Sequence, residues 1–370
     1  METKMHDHIA FFLPSLAGGG AEKVFLHLAY VFCDHGIALD IVLGRAEGPY
    51  LVDLPAKARV IDLKVEHMAA SLFGLSKYLA KERPDVLLAA IPIANIVAVL
   101  AKKFTRVQTK IVACLHSVES RAIQSGPFGK RHLIQFLYPM VMRTADSIIA
   151  VSHGVVKDFI EITGSSQGKV QVIHNPIVSH LLYTKAAEAI IEPWFRSAEM
   201  PVILAVGRLS AVKDFETLIR AFSVVRKKIY SQLIILGEGE ERSKLENLLR
   251  ELKLKDDVHM PGFVNNPYKF MKNANVLVVS SISESFGNVL VEAMACGCQV
   301  VSTDCPVGPT EILERGTWGT LVPVGDYRAL AKAIVDVIYK KRILQVLERA
   351  KDFSVDKISK QYLQALGVQV

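Results

Sequence analysis

The chain has 370 residues, of which 51% are apolar and 22% charged, and its net charge is +7. This length suggests two domains, each able to bury its own core, and the apolar content excludes an intrinsically disordered chain. The longest uncharged run, 86–101, is interrupted by Pro92 and Asn95 and is too short to span a bilayer as a helix.

Apolar runs of strand length alternate with helix-length segments in the first half of the chain. The predicted strands are 9–14, 39–43, 85–90, 110–115, 147–151 and 170–173. The predicted helices are 22–35, 71–83, 93–103, 130–144 and 154–163. Such alternation predicts an α/β domain built around a parallel sheet.

The alternation resumes after an irregular stretch at about 185–201. Its predicted strands are 202–206, 232–236, 258–261, 276–279, 299–303 and 320–323. Its predicted helices are 214–228, 240–252, 267–273, 288–296, 309–314 and 327–347. We therefore expect two doubly wound, Rossmann-like domains, 1–185 and 186–353, with parallel sheets facing across a ligand cleft. A final helix within 354–370 could pack back toward the first domain.

Three consecutive glycines, Gly18, Gly19 and Gly20, follow the first predicted strand and open a helix. Glycine lets backbone N–H groups approach a ligand closely, and a helix N-terminus favours an anion such as a diphosphate. The dinucleotide pattern G-x-G-x-x-G is absent, because Lys23 stands where its third glycine would fall. A tight turn between strand and helix explains the motif equally well.

Two carboxylates, Glu284 and Glu292, lie eight residues apart after the strand that ends near Ser280. The first falls in a loop and the second about one turn into the following helix. Carboxylates accept hydrogen bonds from sugar hydroxyls, and the N–H groups at the start of the helix can bind an anion. Glu292 alone would more often be a charge on a solvated helix face, but the whole string is far more specific than either glutamate.

The string E-S-F-G-N-V-L-V-E-A-M-A-C-G at 284–297 resembles the E-x(7)-E motif of the family 4 glycosyltransferases, which have the GT-B fold. Other segments resemble the family in the same order along the chain: G-G-G-A-E-K at 18–23, L-H at 115–116, V-I-H-N-P at 172–176, G-R-L-S-A-V-K-D at 207–214 and G-E-G-E-E-R at 237–242. The resemblance spans essentially the whole chain. It implies a retaining glycosyltransferase that needs no metal ion.

The resemblance also implies roles for individual residues. Arg208 and Lys213 would bind the nucleotide diphosphate and stabilise its charge as it leaves, and Glu284 would contact the donor sugar. His116 would point into the cleft and contact the donor sugar or position the acceptor; Ser117 follows it, where many members of the family have Asp. Together with Glu292, which would hold the ribose, the implied donor-binding residues are Gly18, Gly19, Gly262, Phe263, Val264, Phe286, Gly287, Asn288 and Val289.

The donor and acceptor are also expected from this resemblance. The stretch S-T-D-C-P-V-G-P-T-E-I-L at 302–313 is similar to bacterial members that use UDP-hexoses or UDP-N-acetylhexosamines. We therefore expect transfer from a UDP-sugar to a glycan acceptor, plausibly polyprenyl-diphosphate-linked, with no cofactor and no metal ion. Two alternatives remain open, a nucleotide-sugar 2-epimerase and a non-catalytic module that binds a nucleotide or glycan.

Basic residues are concentrated in the first half, within 99–146. They are Lys102, Lys103, Arg106, Lys110, Arg121, Lys130, Arg131 and Arg143. This cluster could meet an anionic membrane surface or an acceptor phosphate, although a partly buried helix is an equal alternative. No nucleic-acid-binding signature accompanies it, so nucleic acid is not an expected partner. Five cysteines without a metal-type C-x-x-C pair favour a cytoplasmic protein, peripheral on the inner face of the membrane if the cluster binds lipid.

Overall fold

The computed structural model describes residues 8–124, 128–195, 200–340 and 345–368. The chain forms two compact units, Met1–Pro176 together with Val355–Val370, and Ile177–Ser354. Each unit is built on a parallel sheet covered by helices.

Seven parallel strands form the sheet of the first unit within the described residues, in the order β3-β2-β1-β4-β5-β6-β7. They are β1 His8–Leu13, β2 Ala38–Leu43, β3 Arg59–Asp62, β4 Val86–Ala90, β5 Lys110–Leu115, β6 Ser147–Ala150 and β7 Val170–Val172. Strands in the middle of the sheet are covered on both faces, which is why their sequences are almost continuously apolar. Every residue of β4 is buried.

Helices connect these strands. They are α1 Gly20–Asp34, α2 Ser71–Glu82, α3 Pro92–Thr105, α4 Glu119–Gln124, α5 Phe128–Met142 and α6 His153–Thr163. Their ends follow local sequence signals: the Ser152 side chain accepts a hydrogen bond from the Val155 N–H at the start of α6, and Gly164 ends that helix with a φ of +62°.

Strand β3 was not among the predicted strands, because it lies at the edge of the sheet and most of its side chains are exposed. Its pairing with β2 is reinforced by Arg59, whose guanidinium donates to both carboxylate oxygens of Asp40 at 2.8 and 2.7 Å. An exposed edge strand carries no run of apolar residues, so its sequence resembles that of a loop. Helix α4 was also not predicted.

The second unit has a six-stranded parallel sheet in the described part of the chain, ordered β10-β9-β8-β11-β12-β13. The strands are β8 Val202–Val206, β9 Gln232–Leu236, β10 Val258–Gly262, β11 Val276–Val279, β12 Gln299–Thr303 and β13 Thr320–Val322. The helices are α7 His180–Ala186, α8 Phe215–Arg226, α9 Arg242–Glu251, α10 Tyr268–Asn273, α11 Asn288–Ala295, α12 Pro309–Ile312, α13 Tyr327–Lys340 and α14 Val346–Lys351.

The prediction of one continuous helix over 327–347 is wrong. Helix α13 is described as far as Lys340, and α14 begins separately at Val346. Gln345, which precedes α14, has a ψ of +55°, outside the helical region, so the backbone turns there.

The units meet along the chain between Pro176 and Ile177, earlier than the boundary predicted at 185/186. The segment that follows is held by the second unit. Helix α7 packs against α10, and the Asn266 side chain donates to the Lys185 carbonyl at 2.8 Å. These contacts depend on residues far apart in sequence, so composition alone does not reveal them.

The last helix, α15 Val355–Leu366, packs within the first unit. Its apolar face contributes Ile358, Tyr362, Leu363 and Leu366 to the core that also contains the inner face of α1. The ammonium of Lys110, at the start of β5, donates to the Ala365 carbonyl at 3.0 Å. None of the helices described is both long and apolar enough to cross a membrane.

Both sheets reverse their strand order at one place. In the first unit the reversal lies between β1 and β4, and in the second between β8 and β11. In open parallel sheets, ligands bind beyond the carboxyl ends of the strands that flank such a reversal. The fold therefore predicts that ligands bind at the loops that follow these four strands.

Candidate active site

The loops that follow β8 and β11 bring two of the predicted catalytic side chains into contact. The Lys213 ammonium lies 2.6 Å from Oε1 of Glu284. The two side chains are 24% and 10% exposed, so the pair is largely withdrawn from water while still reachable by a ligand. A charge-assisted hydrogen bond of this kind is stronger than one between neutral groups.

Two serines that sequence reasoning missed hold this pair in place. The Ser281 hydroxyl donates to the same Oε1 of Glu284 at 2.6 Å. The Ser280 hydroxyl donates to the Lys213 carbonyl at 2.8 Å, which joins the loop after β11 to the loop after β8. Consecutive serines at the end of an apolar strand were the signal in the sequence, although it did not reveal their partners.

The backbone around Lys213 is also constrained. Asp214 has a φ of +46°, and its side chain caps α8 by accepting from the Thr217 N–H at 3.2 Å. The Ile282 N–H donates to the Val212 carbonyl at 2.8 Å. The lysine side chain therefore projects from a short turn that is fixed on both sides. This favours a defined position for its ammonium group.

The second glutamate of the motif, Glu292, lies on α11 and is buried, with 8% of the residue exposed. The Tyr268 hydroxyl lies 3.4 Å from its Oε1. Tyr268 comes from α10, 24 residues earlier in the chain, and sequence reasoning did not identify it. This contact links α10 to α11 through the carboxylate.

Close backbone packing explains two glycines of this region. Gly287, which precedes α11, has a φ of +105°, a conformation that residues with a side chain rarely adopt. A Cβ at Gly308 would lie 2.1 Å from the Phe286 carbonyl oxygen. The Phe286 ring is buried against the ring of Phe353, with 5.5 Å between centroids. The N-terminus of α11 is thus presented by a tightly packed loop next to Glu284.

Arg208 is not joined to the Lys213–Glu284 pair in this structure. Its Nε lies 3.3 Å from Oε2 of Glu240, and the two side chains are 76% and 57% exposed. An exposed ion pair contributes at most about 1 kcal/mol. Exchanging Glu240 for another anion therefore costs the Arg208 guanidinium little free energy.

The loops after β8, β9 and β10 lie in close contact with one another. A Cβ at Gly237 would lie 1.9 Å from the Gly207 carbonyl oxygen, so only glycine allows this approach. The Gly237 N–H donates to the Gly262 carbonyl at 2.9 Å, and Gly262 has a φ of +94°. Phe263 follows with 71% of its surface exposed, and Val264 is partly buried.

The first unit places its predicted residues at the carboxyl ends of β1 and β5. Gly18 has a φ of +98°, and Gly19 precedes the first residue of α1. His116 follows β5 and is partly exposed, although its Nε2 is buried and has no hydrogen-bond partner among the described residues. Its ring lies edge-on to Phe25 of α1, with 5.8 Å between centroids. Burial lowers the pKa of His116 to about 4, so the imidazole is neutral at pH 7.

Some side chains of the basic cluster at 99–146 have partners within the first unit, and others are exposed. Lys102 binds both carboxylate oxygens of Asp146 at 2.8 and 2.7 Å, and Arg143 donates to the Thr163 carbonyl at 2.6 Å. Lys103, Arg106 and Arg121 are exposed. The side chains of Lys130 and Arg131 lie outside the described residues. In the described ranges, no three His, Cys, Asp or Glu side chains lie close enough together to hold a metal ion.

Two family models match the chain, one for each half. Residues 18–180 match the family described as Glycosyltransferase Family 4, and residues 187–354 match Glycosyl transferases group 1. Together the two matches leave only short segments of the chain uncovered.

Individual relatives agree with these matches. The chain is 29% identical to the N-acetylgalactosamine-N,N'-diacetylbacillosaminyl-diphospho-undecaprenol 4-alpha-N-acetylgalactosaminyltransferase of Campylobacter jejuni, covering 97% of this chain and 99% of that protein. It is 26% identical to the lipopolysaccharide core biosynthesis glycosyltransferase LpsE of Rhizobium meliloti, covering 94% and 96%.

Among solved structures, Anabaena Alr3699/HepE in complex with UDP-glucose superposes with a TM-score of 0.82 at 22% identity, covering 97% of this chain and 99% of that one. This likeness concerns the fold. With two Rossmann-like units, a Family 4 match in the first half and a group 1 match in the second, the chain belongs to the GT-B glycosyltransferases.

Proposed function

We propose that this glycosyltransferase moves a hexose or N-acetylhexosamine from a UDP-sugar to a glycan acceptor, with retention of anomeric configuration. The observation that carries the proposal is the contact between Lys213 and Glu284 beyond the carboxyl ends of β8 and β11. This arrangement offers a cation for a diphosphate and a carboxylate for sugar hydroxyls within one hydrogen bond of each other.

The leaving diphosphate would be stabilised by Lys213 and Arg208. Negative charge grows on the phosphate oxygen as the bond to the sugar breaks, and fixed cations lower the energy of that state. Lys213 is already oriented by its turn, whereas Arg208 contacts the exposed carboxylate of Glu240. A bound diphosphate would compete well for Arg208, because a surface ion pair is weak.

Glu284 would hold the donor sugar, and Glu292 would hold the ribose. A carboxylate whose Oε1 already accepts two hydrogen bonds keeps its second oxygen in a defined direction. Glu292 sits one turn into α11, with Tyr268 beside it. The N-terminus of α11 lies between the two carboxylates in sequence and suits the diphosphate.

The choice of a UDP-sugar is supported by two relatives. Alr3699/HepE has been crystallised with UDP and with UDP-glucose, and the Campylobacter jejuni protein is named as a transferase of N-acetylgalactosamine. That protein's name also gives a diphospho-undecaprenol-linked acceptor. A polyprenyl-diphosphate-linked glycan is therefore the acceptor we propose, in the assembly of a bacterial surface polysaccharide.

The proposed transfer needs no metal ion and no covalent enzyme intermediate. The acceptor hydroxyl attacks C1 on the face that the phosphate leaves, the C1–O bond to the phosphate breaks, and the departing phosphate oxygen takes the hydroxyl proton. Lys213 and Arg208 supply the positive charge that a metal ion would otherwise supply. Product NMR should show the anomeric configuration of the donor, and excess EDTA should leave the rate within about twofold; an inverted product would contradict the mechanism.

Transfer assays with labelled UDP-, GDP- and ADP-sugars and lipid-linked acceptors test the function. We expect transfer from a UDP-sugar, and a loss of about 100-fold or more in kcat for Lys213→Ala and for Glu284→Ala. The exposed ion pair Glu348–Lys351 provides matched controls, Glu348→Ala and Lys351→Ala, which should keep wild-type rates. Full activity of the Lys213 or Glu284 variant would remove that residue from the mechanism.

The same assays separate the two alternatives. A nucleotide-sugar 2-epimerase would release an altered UDP-sugar without any acceptor. A non-catalytic module would bind UDP and release no product. A glycosylated acceptor together with free UDP, formed in equal amounts, contradicts both alternatives.

The proposal includes contact with the inner face of an anionic membrane through the first unit. A cavity of about 300 Å³ near the start of β5 is lined by Lys103 and Arg106, and the adjacent Phe104 is 69% exposed. Each basic group near an anionic surface contributes about 1 kcal/mol. Binding to anionic vesicles should therefore fall in Lys103→Glu/Arg106→Glu and at high salt. Equal recovery with neutral and anionic vesicles at low salt would contradict this contact.

A further inference from the structure

A buried acid lies behind the turn that carries His116. Glu119, the first residue of α4, has no exposed surface. The Ser117 hydroxyl donates to its Oε1 at 2.9 Å, and the buried Tyr138 hydroxyl of α5 interacts with the same carboxyl group. Arg121, two residues further along the same helix, is exposed to solvent. A fully buried carboxyl group is costly if it is charged.

Three neighbouring groups also act on the pKa of Glu119, in opposite directions. The carboxylate of Asp158, on α6, accepts from the Ser120 N–H at 3.1 Å and repels a second negative charge. The hydroxyls of Tyr138 and Ser117 act in the opposite direction and favour the ionised form, each more strongly than Asp158 disfavours it. Burial is the largest cause and raises the pKa of Glu119 to about 7. The carboxyl group is therefore neutral in slightly acidic solution and ionises as the pH rises above 7.

Helices α3, α5 and α6 all pack against α4. The ammonium of Lys102 on α3 is bound by Asp146, and Lys157 on α6 lies 4.0 Å from Glu161. The described side chains of α5, from residue 134 onward, are uncharged. Asp158 is thus the charged group that acts on Glu119 from its neighbours, and it disfavours ionisation.

The position of His116 depends on the turn formed by residues 116–119. Its Nε2 accepts no hydrogen bond from the described residues, and its ring is oriented by packing against Phe25. Only two residues separate His116 from Glu119. A movement of the turn would therefore move the imidazole directly, because no side-chain hydrogen bond of Nε2 would resist it.

We propose that Glu119 is a positioning residue whose neutral carboxyl group, held by Ser117, keeps the 116–119 turn and its His116 in the working geometry. Ionisation of Glu119 places a fully buried negative charge beside the partly buried carboxylate of Asp158 and displaces the turn. Activity is therefore greatest while Glu119 is protonated and declines as the pH rises above 7. This inference rests on the proposed transfer reaction, in which His116 contacts the donor sugar or the acceptor.

The direct test follows the His116 imidazole by NMR between pH 6 and 8.5. In the wild type we expect the ring signals to shift with a midpoint near 7, which reports Glu119, since His116 itself has a pKa of about 4. In Glu119→Gln, which keeps the hydrogen bond and cannot ionise, this shift should disappear. The exposed control Glu161→Gln should retain it. Ring signals that stay constant in the wild type, or that shift equally in Glu119→Gln, would overturn the proposal.

Kinetics provide the second readout. Glu119→Ala should lower kcat on the order of tenfold to 100-fold, because a displaced group is costly even at a distance from the reacting atoms. Its KM for the UDP-sugar should change less, since the proposed contacts of the diphosphate, Lys213 and Arg208, lie in the second unit. Glu119→Gln should rescue the rate at pH 6 and remove the decline above pH 7. A decline that persists in Glu119→Gln would contradict the proposal. An inactive wild type that keeps the NMR response would instead contradict the proposed function alone.

Discussion

Lys213 and Glu284 are 71 residues apart in the chain, yet their charged groups share a hydrogen bond. What brings them together is the position of their strands, because β8 and β11 are neighbours at the reversal of the sheet. Each side chain leaves a short, braced loop, with Asp214 capping α8 and Ser281 bound to the carboxylate. Such bracing reduces the conformational freedom lost when a donor binds.

The loop after β9 can approach the loop after β8 only because residue 237 is glycine. Its replacement should therefore be destabilising. Gly237→Ala should destabilise the second unit by at least about 1–3 kcal/mol, since its φ of +146° strains any side chain. The added Cβ would also collide with the Gly207 carbonyl, next to Arg208. Urea unfolding and UDP titration measure both effects, and we expect weaker UDP binding together with a lower midpoint.

Gly168→Ala is the control for this substitution. Gly168 is exposed, and a Cβ there meets no atom within 4 Å, so the change should stay within about 0.5 kcal/mol. If Gly237→Ala unfolds at the wild-type urea concentration, the close approach of the two loops is not needed for stability.

At this scale the sequence identified residue types better than residue partners. The string at 284–297 pointed to both glutamates and the string at 207–214 to Lys213, because both strings resemble motifs of the family 4 glycosyltransferases. The hydroxyls of Ser281 and Tyr268 were missed, since each acts on a residue that only the folded chain brings near. Glu119 is not a candidate from sequence, because its complete burial has no signature there.

Among the elements, the buried strands were predicted closely and the exposed or interrupted ones were not. Strands β4 and β11 are buried along their whole length, so their apolar runs coincide with their bounds. Strand β3 is exposed and depends on its pairing with β2, and the break between α13 and α14 interrupts an otherwise helical pattern. Hydrophobic periodicity in a sequence reflects burial, so it predicts exposed elements poorly.

Helix α15 shows how an element from the end of the chain stabilises the first unit. Leu363 is fully buried in a core shared with Phe25 and Tyr362. Leu363→Ala should therefore destabilise the first unit by about 2–5 kcal/mol, the usual cost of a large-to-small change in a core. Hydrogen exchange at the amides of β1 and β4 measures this unit separately from the other.

The neighbouring Gln364 is exposed and provides the matched control. Gln364→Ala keeps the helix and removes no buried group, so we expect exchange rates near those of the wild type. If Leu363→Ala exchanges no faster than Gln364→Ala, α15 contributes little to the stability of that core.

At the scale of the whole molecule, two parallel sheets account for much of the 51% apolar content of the chain. This explains why such a chain has no long apolar helix in its described part. Strands covered on both faces need apolar side chains at successive positions. The positive charge is also partly internal. Lys102 and Lys110 both bind groups within the first unit, which leaves fewer basic side chains for a membrane or a phosphate than the sequence suggested.

The two units should respond differently to a nucleotide. Every predicted contact with the UDP moiety that involves a side chain lies in the second unit, in the loops after β8, β10 and β11. A ligand that binds only the folded form at 100 times its Kd stabilises that form by about 2.7 kcal/mol. Saturating UDP should therefore slow hydrogen exchange most strongly in peptides that cover 207–213 and 284–292. Peptides from β2 and β3, at the far edge of the first sheet, should exchange at unchanged rates.

Lys213→Ala sharpens this experiment, because it removes the cation proposed to hold the diphosphate while leaving the loop after β11 its bond between Ser281 and Glu284. At the same UDP concentration the variant should show weaker protection at 207–213 and 284–292, and higher UDP should restore it. Uridine, which lacks the diphosphate, should protect the wild type and the variant to the same smaller extent. Equal protection of β2 and β3 by UDP, or protection that ignores the loss of Lys213, would move the nucleotide site away from the β8–β11 reversal.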